Sequence, residues 1–174
     1  MRYVGLDLST KTGLVILDES SQVIKAEEIT TKEKNDPQRM IILTEKIMSN
    51  LKDDDIIAIE GFSYGSRGRG ISFQFGYGYA VRSALFEASK PYLIVTPSQV
   101  KKYATGKGNS PKDNMILPIF KKWGFEHESD NVRDAYVLAR IAFDLKSDKK
   151  TKLKGYQKGI IDDLLKKQTL RFKE

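Results

Sequence analysis

The sequence predicts an α/β fold: a five-stranded mixed sheet, three antiparallel strands then two parallel ones, flanked by helices. Three observations carry this expectation. Three strand-like runs crowd the first 30 residues, separated by short polar turns, which is the spacing of an antiparallel meander. An unbroken apolar run, Ile56-Ile57-Ala58-Ile59, is too short for a helix and ends on Glu60. Beyond it, helical and strand-like periodicities alternate, the order that covers a sheet with helices.

Taken in order, residues 2–8 (Arg-Tyr-Val-Gly-Leu-Asp-Leu) and 13–18 (Gly-Leu-Val-Ile-Leu-Asp) form the first two strands, and a weaker third covers about 22–30. Asn35-Asp36-Pro37 reads as a helix start, a cap followed by proline at the first helical position. Met40, Leu43, Thr44, Ile47, Met48 and Leu51 then share one helical face. Residues 56–60 form a buried central strand. A glycine-rich loop follows from Gly61 to Gly70, then a helix over about 72–89 and a short strand, Tyr92 to Val95. Pro97 opens a helix that Thr105-Gly106-Lys107-Gly108-Asn109 breaks, and Ser110-Pro111 starts another that runs to about Trp123. Ser129 caps a last core helix over about 130–145, in which Ala135, Leu138, Ala139 and Ala142 make a small-residue packing stripe. Residues 1–146 are expected to form one domain. Residues 147–174 are a basic extension in which Ile160, Ile161, Leu164 and Leu165 mark a short amphipathic helix. There is no internal repeat.

The chain has 174 residues, enough to bury a core, and no cysteine, which excludes a disulfide framework and thiolate metal sites. Its single histidine, His127, excludes histidine-based triads and is expected at the surface; Trp123 is expected in the core. The opening run reads as a strand, not as a basic segment leading into an apolar one. No apolar stretch approaches the roughly 20 residues of a membrane span, so a cytoplasmic location is expected.

The net charge of +7 is unevenly placed. Residues 1–60 carry 8 basic and 12 acidic side chains, whereas residues 61–125 carry 10 basic side chains and only 2 acidic ones. A surface made merely soluble by lysine would not segregate in this way. One that neutralises phosphates would, which points to nucleic acid.

Four carboxylates stand where chemistry could use them. Asp7 lies inside an apolar strand between Leu6 and Leu8, a costly place for an unpartnered charge. Glu60 ends the central strand. Asp130 and Asp134 are four apart at the start of the last helix, hence on one face, where they could also merely complement the helix dipole. Four such acids can hold two divalent cations roughly 4 Å apart for phosphodiester hydrolysis, and an all-oxygen set favours Mg²⁺ or Mn²⁺ over zinc.

Several of these stretches resemble one family. Gly5-Leu6-Asp7-Leu8-Ser9-Thr10-Lys11-Thr12-Gly13 resembles the first-strand motif of the RuvC-type Holliday junction resolvases, and Ile57-Ala58-Ile59-Glu60 their second acidic strand. Residues 96–112, from Thr96-Pro97-Ser98-Gln99-Val100-Lys101-Lys102 through Gly106-Lys107-Gly108 to Lys112, resemble the family's Pro-x-x-Val-Lys, Gly-x-Gly and Lys segment. Asp134-Ala135-Tyr136-Val137-Leu138-Ala139 resembles its final helix. The resemblance spans about residues 2–145 in the family's order. It implies an RNase H-like fold and a homodimeric endonuclease with two Mg²⁺ per active site that nicks branched DNA and leaves 5′-phosphate ends. The family's metal-binding acids fall on Asp7, Glu60, Asp134 and a fourth position. The family places its last two acids three apart, which lands here on Asn131. Either Asp130 substitutes from one position earlier or Asn131 supplies a neutral ligand, and Asp130 is preferred for its charge. Leu8-Ser9 also departs from the Pro-Gly common in the family. These departures and the compact size point to a bacteriophage version, acting in a bacterial cell or a phage-infected host.

The resemblance assigns Lys101 and Lys112 to the scissile phosphate, where a lysine stabilises developing negative charge. Lys102 and Lys107 are expected on flanking phosphates. Phe62 or Tyr64, just after Glu60, are candidates to wedge a junction open, with Arg67 and Arg69 beside them on DNA. Phe73, Phe75, Tyr77 and Tyr79 are read as helix packing or a dimer contact, since this helix helps form the dimer in the resembled family. Two other functions compete. Asp7, Thr10 and Gly13 also resemble the first phosphate loop of actin-like kinases, but 174 residues leave no room for the second domain that these need. A non-catalytic branched-DNA-binding module with a degenerate nuclease core is the other rival. Metal-dependent cleavage separates it from an enzyme.

Overall fold

The computed structural model of the chain describes residues 1–62, 70–146 and 153–171. Strands β1 (Arg2–Asp7), β2 (Thr12–Leu17) and β3 (Val23–Ile29) form the meander, followed by helix α1 (Gln38–Met48) and strand β4 (Asp55–Glu60). Helix α2 (Ile71–Glu87), strand β5 (Tyr92–Val95) and helices α3 (Pro97–Thr105), α4 (Asp113–Trp123), α5 (Asp130–Lys146) and α6 (Gly155–Arg171) complete it. The five strands lie in the order β3-β2-β1-β4-β5. β1 pairs antiparallel with β2, and β2 with β3; β1 pairs parallel with β4, and β4 with β5. This is the mixed sheet that the sequence predicts. Among the described residues no helix is long and apolar enough to cross a membrane.

Strand side chains alternate between faces, so the sheet builds two cores. Val4, Leu6, Leu14, Ile16, Ile57 and Ile59 face α1 and α2 and bury against Leu43, Ile47, Phe73, Tyr77 and Val81. Tyr3, Val15, Leu17 and Ala58 face the other way, onto α5, α3 and α6. Because both faces are covered, β1, β2 and β4 are apolar almost without interruption.

α5 lies across β1, β2 and β4 on the second face. Two glycines let it come close. A Cβ on Gly5 would sit 1.9 Å from the Ala135 carbonyl oxygen, and one on Gly13 would sit 2.1 Å from that of Asn131. Ala135, Ala139 and Ala142 answer from the helix, all fully buried. The small-residue stripe is therefore a packing seam.

Local details differ from the sequence expectations at helix starts. Pro37 precedes α1 as its cap instead of occupying the first turn, and no side chain caps that end. α4 begins at Asp113, two residues beyond Pro111, because the Pro111 and Lys112 carbonyls accept from Asn114 and Met115 in a preliminary turn. Ser129 caps α5 as expected, its Oγ accepting from the Val132 N–H at 3.3 Å. Trp123 packs at the edge of the core between Tyr103 and Tyr136.

Candidate active site

Parallel strands deliver their carboxyl ends to one edge of a sheet, and there the predicted acids meet. Leu6 pairs with Ile59, so the next residues, Asp7 and Glu60, stand side by side on neighbouring strands. Asp7 shares its face with Gly5, which is the face that α5 covers. The close approach at Gly5 and Gly13 thereby brings the first turns of α5, with Asp130 and Asp134, over Asp7. Asp7 and Asp134 are buried, at 6% and 7% exposure.

Lys112, just before α4, reaches into the same place. Its Nζ lies 2.5 Å from Asp130 Oδ2 and 3.6 Å from Asp134 Oδ2. Burial pushes the lysine pKa down, but the Asp130 hydrogen bond and the charges of Asp134, Asp7 and Asp130 outweigh it, and the net shift is upward. The same hydrogen bond holds Asp130 below the usual carboxylate range. The other three acids move the opposite way. Burial, then the Asp134 charge, pushes Asp7 up to about 7. Burial, then Asp7 and Asp134, pushes Glu60 up to about 9. Burial also raises Asp134. One ammonium does not balance four carboxylates, and the imbalance falls on the buried pair Asp7 and Glu60.

The four acids do not form a ready-made ligand cage. Among the described residues no three carboxylate or imidazole groups are gathered closely enough to hold a metal ion. Asp7 and Glu60 share a side-chain hydrogen bond, while Lys112 draws Asp130 and Asp134 to itself. The donor chemistry nevertheless suits a hard divalent ion, since every group is an oxygen donor. Such an ion would also relieve the raised pKa values of Asp7, Glu60 and Asp134. Asn131 meets the sheet through its backbone carbonyl at Gly13.

The remaining predicted residues that the structure describes form no ion pair with these acids. Lys101 is partly buried on α3 and forms no ion pair with the acids among the described residues. Lys102 is exposed and lines a cleft of about 400 Å³ with Ser98, Gln99, Gly108 and Asp163. Lys107 is exposed in the turn after α3. Phe62 lies on α2: its ring is 4.5 Å from Phe75 and 5.3 Å from Tyr79, under the Arg82 guanidinium at 4.1 Å. A Cβ at Gly78 would meet that ring at 2.4 Å, so the glycine is its seat. Tyr64, Arg67 and Arg69 fall outside the described residues. Phe73 and Tyr77 are core, while Tyr79 is 60% exposed.

The sequence reading missed a buried polar pair beneath the site. Thr12 Oγ1 donates to the Ser9 carbonyl at 2.8 Å, so the Tyr77 hydroxyl, 2.8 Å away, must be the donor in their contact. It ties α2 to the turn that follows Asp7. Thr12 stands in the quoted motif, but nothing local links it to a tyrosine 65 positions away.

No protein-family model and no curated protein sequence matches the chain. Solved structures do. Thermus thermophilus RuvC superposes with a TM-score of 0.66 at 19% identity, over 83% of this chain and 95% of that one. The fold is that of RuvC. A second structure, T. thermophilus RuvC in complex with Holliday junction substrate, matches with a TM-score of 0.66 at 22% identity, over 80% of this chain and 90% of that one.

Proposed function

We propose that this chain is a structure-selective DNA endonuclease that nicks Holliday junctions and other branched DNA as a homodimer, by two-metal-ion phosphodiester hydrolysis. One observation carries the reading: Asp7, Glu60 and Asp134 stand with Lys112 at the carboxyl edge of the parallel strands. The fold is shared with a protein solved on Holliday junction substrate.

Asp7, Glu60 and Asp134 would hold Mg²⁺, with Mn²⁺ as a substitute, and Asp130 or Asn131 would complete the set. The bound ions supply an activated water and positive charge for the leaving oxygen. Lys112 is held by Asp130 and Asp134 in the free protein. With those acids holding the ions, its ammonium would be free to face the scissile phosphate and stabilise developing charge there. Lys101 acts beside it, and the exposed Lys102 and Lys107 take flanking phosphates. Arg67 and Arg69 contact an arm of the junction, and Phe62 or Tyr64 parts the bases at the branch point. To do so Phe62 leaves its seat on Gly78. The two copies meet through α2, whose Tyr79 and Phe86 are exposed, and their paired nicks leave 5′-phosphate ends in the cytoplasm of a bacterial or phage-infected cell.

A labelled synthetic four-way junction beside linear duplex, in Mg²⁺, Mn²⁺ or EDTA, tests this reading. Paired symmetric nicks on the junction, abolished by EDTA, are expected. Tight binding without a cut in either metal would establish the second reading, a branched-DNA-binding module. That reading is favoured by the Lys112 ammonium already pairing with Asp130 at 2.5 Å and lying 3.6 Å from Asp134.

A further inference from the structure

α6 does more than cover apolar surface. A helix leaves its last carbonyls without intrahelical partners. At the end of α3, Gly106 turns with φ +90° and returns its N–H to the Lys102 carbonyl at 2.8 Å. The Tyr103 and Ala104 carbonyls are taken from outside the helix. Lys122 of α4 donates to both, and Gln157 of α6 donates its amide to Tyr103 O at 3.3 Å. The remaining Lys122 donor goes to the Tyr156 hydroxyl at 2.7 Å, so α4 and α6 meet over the end of α3. The Tyr156 ring also lies against Gly106.

Lys107 lies in the turn that follows immediately. The Lys107 N–H donates to Thr105 Oγ1 at 3.0 Å, and that oxygen is 2.8 Å from Ser110 Oγ. Lys107 therefore rides on a fastened turn whose base is the end of α3. α6 is anchored independently, through Ile160, Ile161 and Leu164 in the core and through Gln99 Nε2, which donates to Asp163 Oδ2 at 2.9 Å. At the start of α6 the Gln157 Oε1 accepts from the Lys154 N–H at 3.1 Å, which leaves its Nε2 to reach the end of α3. A glutamine only 5% exposed is costly there unless its amide has a specific partner.

We infer that Gln157 and Tyr156, with Lys122, are positioning residues that hold the Lys107 turn against the DNA backbone, which makes α6 a clamp on a phosphate-binding loop. This rests on the branched-DNA reading. The test uses the full chain as wild type, Lys107→Ala, Gln157→Leu, Tyr156→Phe, and each α6 variant combined with Lys107→Ala. Junction affinity is measured over a salt series, and amide hydrogen exchange is followed at residues 106–108 without DNA. Loss of one phosphate contact lowers the slope of log K against log salt by about 0.9. Lys107→Ala is expected to do this, the α6 variants to do the same, and the double variants to add nothing. Exchange at 106–108 is expected to rise by about tenfold or more as the turn loosens. Wild-type slope and wild-type exchange in the α6 variants, whatever their melting temperature, would reduce α6 to a cover and overturn the inference. Additive effects with Lys107→Ala would overturn it as well. A wild-type chain whose junction binding ignores salt would instead refute the DNA reading, and the exchange measurement would still decide the clamp.

Discussion

Replacing Asp7 by asparagine should stabilise the metal-free protein, although it destroys the proposed site. Asp7 is buried, and its pKa is raised from 3.8 to about 7. A folded-state pKa above the unfolded one means that the native state holds the proton more tightly. Stability is then fully present below about pH 4 and is lost as pH rises through 7. The shift of about three units corresponds to roughly 4 kcal/mol at pH 8. Asp7 and Glu60 titrate together, so this figure belongs to the pair. Asparagine removes the charge and keeps an amide that can donate to Glu60. Thermal melts of wild type and Asp7→Asn in EDTA should coincide near pH 4 and separate at pH 8. The variant should then melt higher by about 10 °C, at about 2–4 °C per kcal/mol for a chain of this size. Excess Mg²⁺ should close or reverse the gap, because only the wild type gains binding energy. A variant less stable than wild type by the same margin at both pH values would refute the reasoning. It would mean that the Asp7 carboxylate serves a structural partner and not a cation.

Lys112→Met should leave junction affinity within a few-fold and lower the cleavage rate by about 10²-fold, measured in single turnover with Mg²⁺; an unchanged rate would remove Lys112 from the chemistry. Gly13→Ala should push α5 off β2, because the new Cβ would sit 2.1 Å from the Asn131 carbonyl. A loss of about 1–3 kcal/mol or more by denaturant unfolding is expected, together with lost cleavage, as the first turn of α5 carries Asp130 and Asp134. Tyr103→Phe removes the hydroxyl that donates to buried Asp144 at 2.6 Å, leaving Arg140 at 3.8 Å. The expected cost is about 1–3 kcal/mol. Burial already raises the Asp144 pKa and the tyrosine bond lowers it, so the variant's deficit should grow as pH rises from 4 to 8.

Some of this was legible along the chain because its cause is local. Strand alternation and the apolar run at 56–59 place β1 and β4, and an acid ending such a run reaches a sheet edge wherever the rest of the chain goes. The spacing of Asp130 and Asp134 puts them on one helix face, and the basic excess of the middle third needs only counting. The stripe of Ala135, Ala139 and Ala142 is equally plain, but not what it packs against. Gly5 and Gly13 lie in the quoted motif within the first two strands, and only the packing of α5 on the sheet gives them their purpose. Tertiary structure alone decided that Lys112 would stand against Asp130 and Asp134, 18 and 22 residues on. It likewise decided that Phe62 would be seated on Gly78 and that a glutamine of α6 would finish α3. The physical reason is common to all three. Periodicity records which face of an element is apolar, whereas a pairing between distant side chains depends on how two elements cross. That crossing is set by close-packed volume, which no single segment carries.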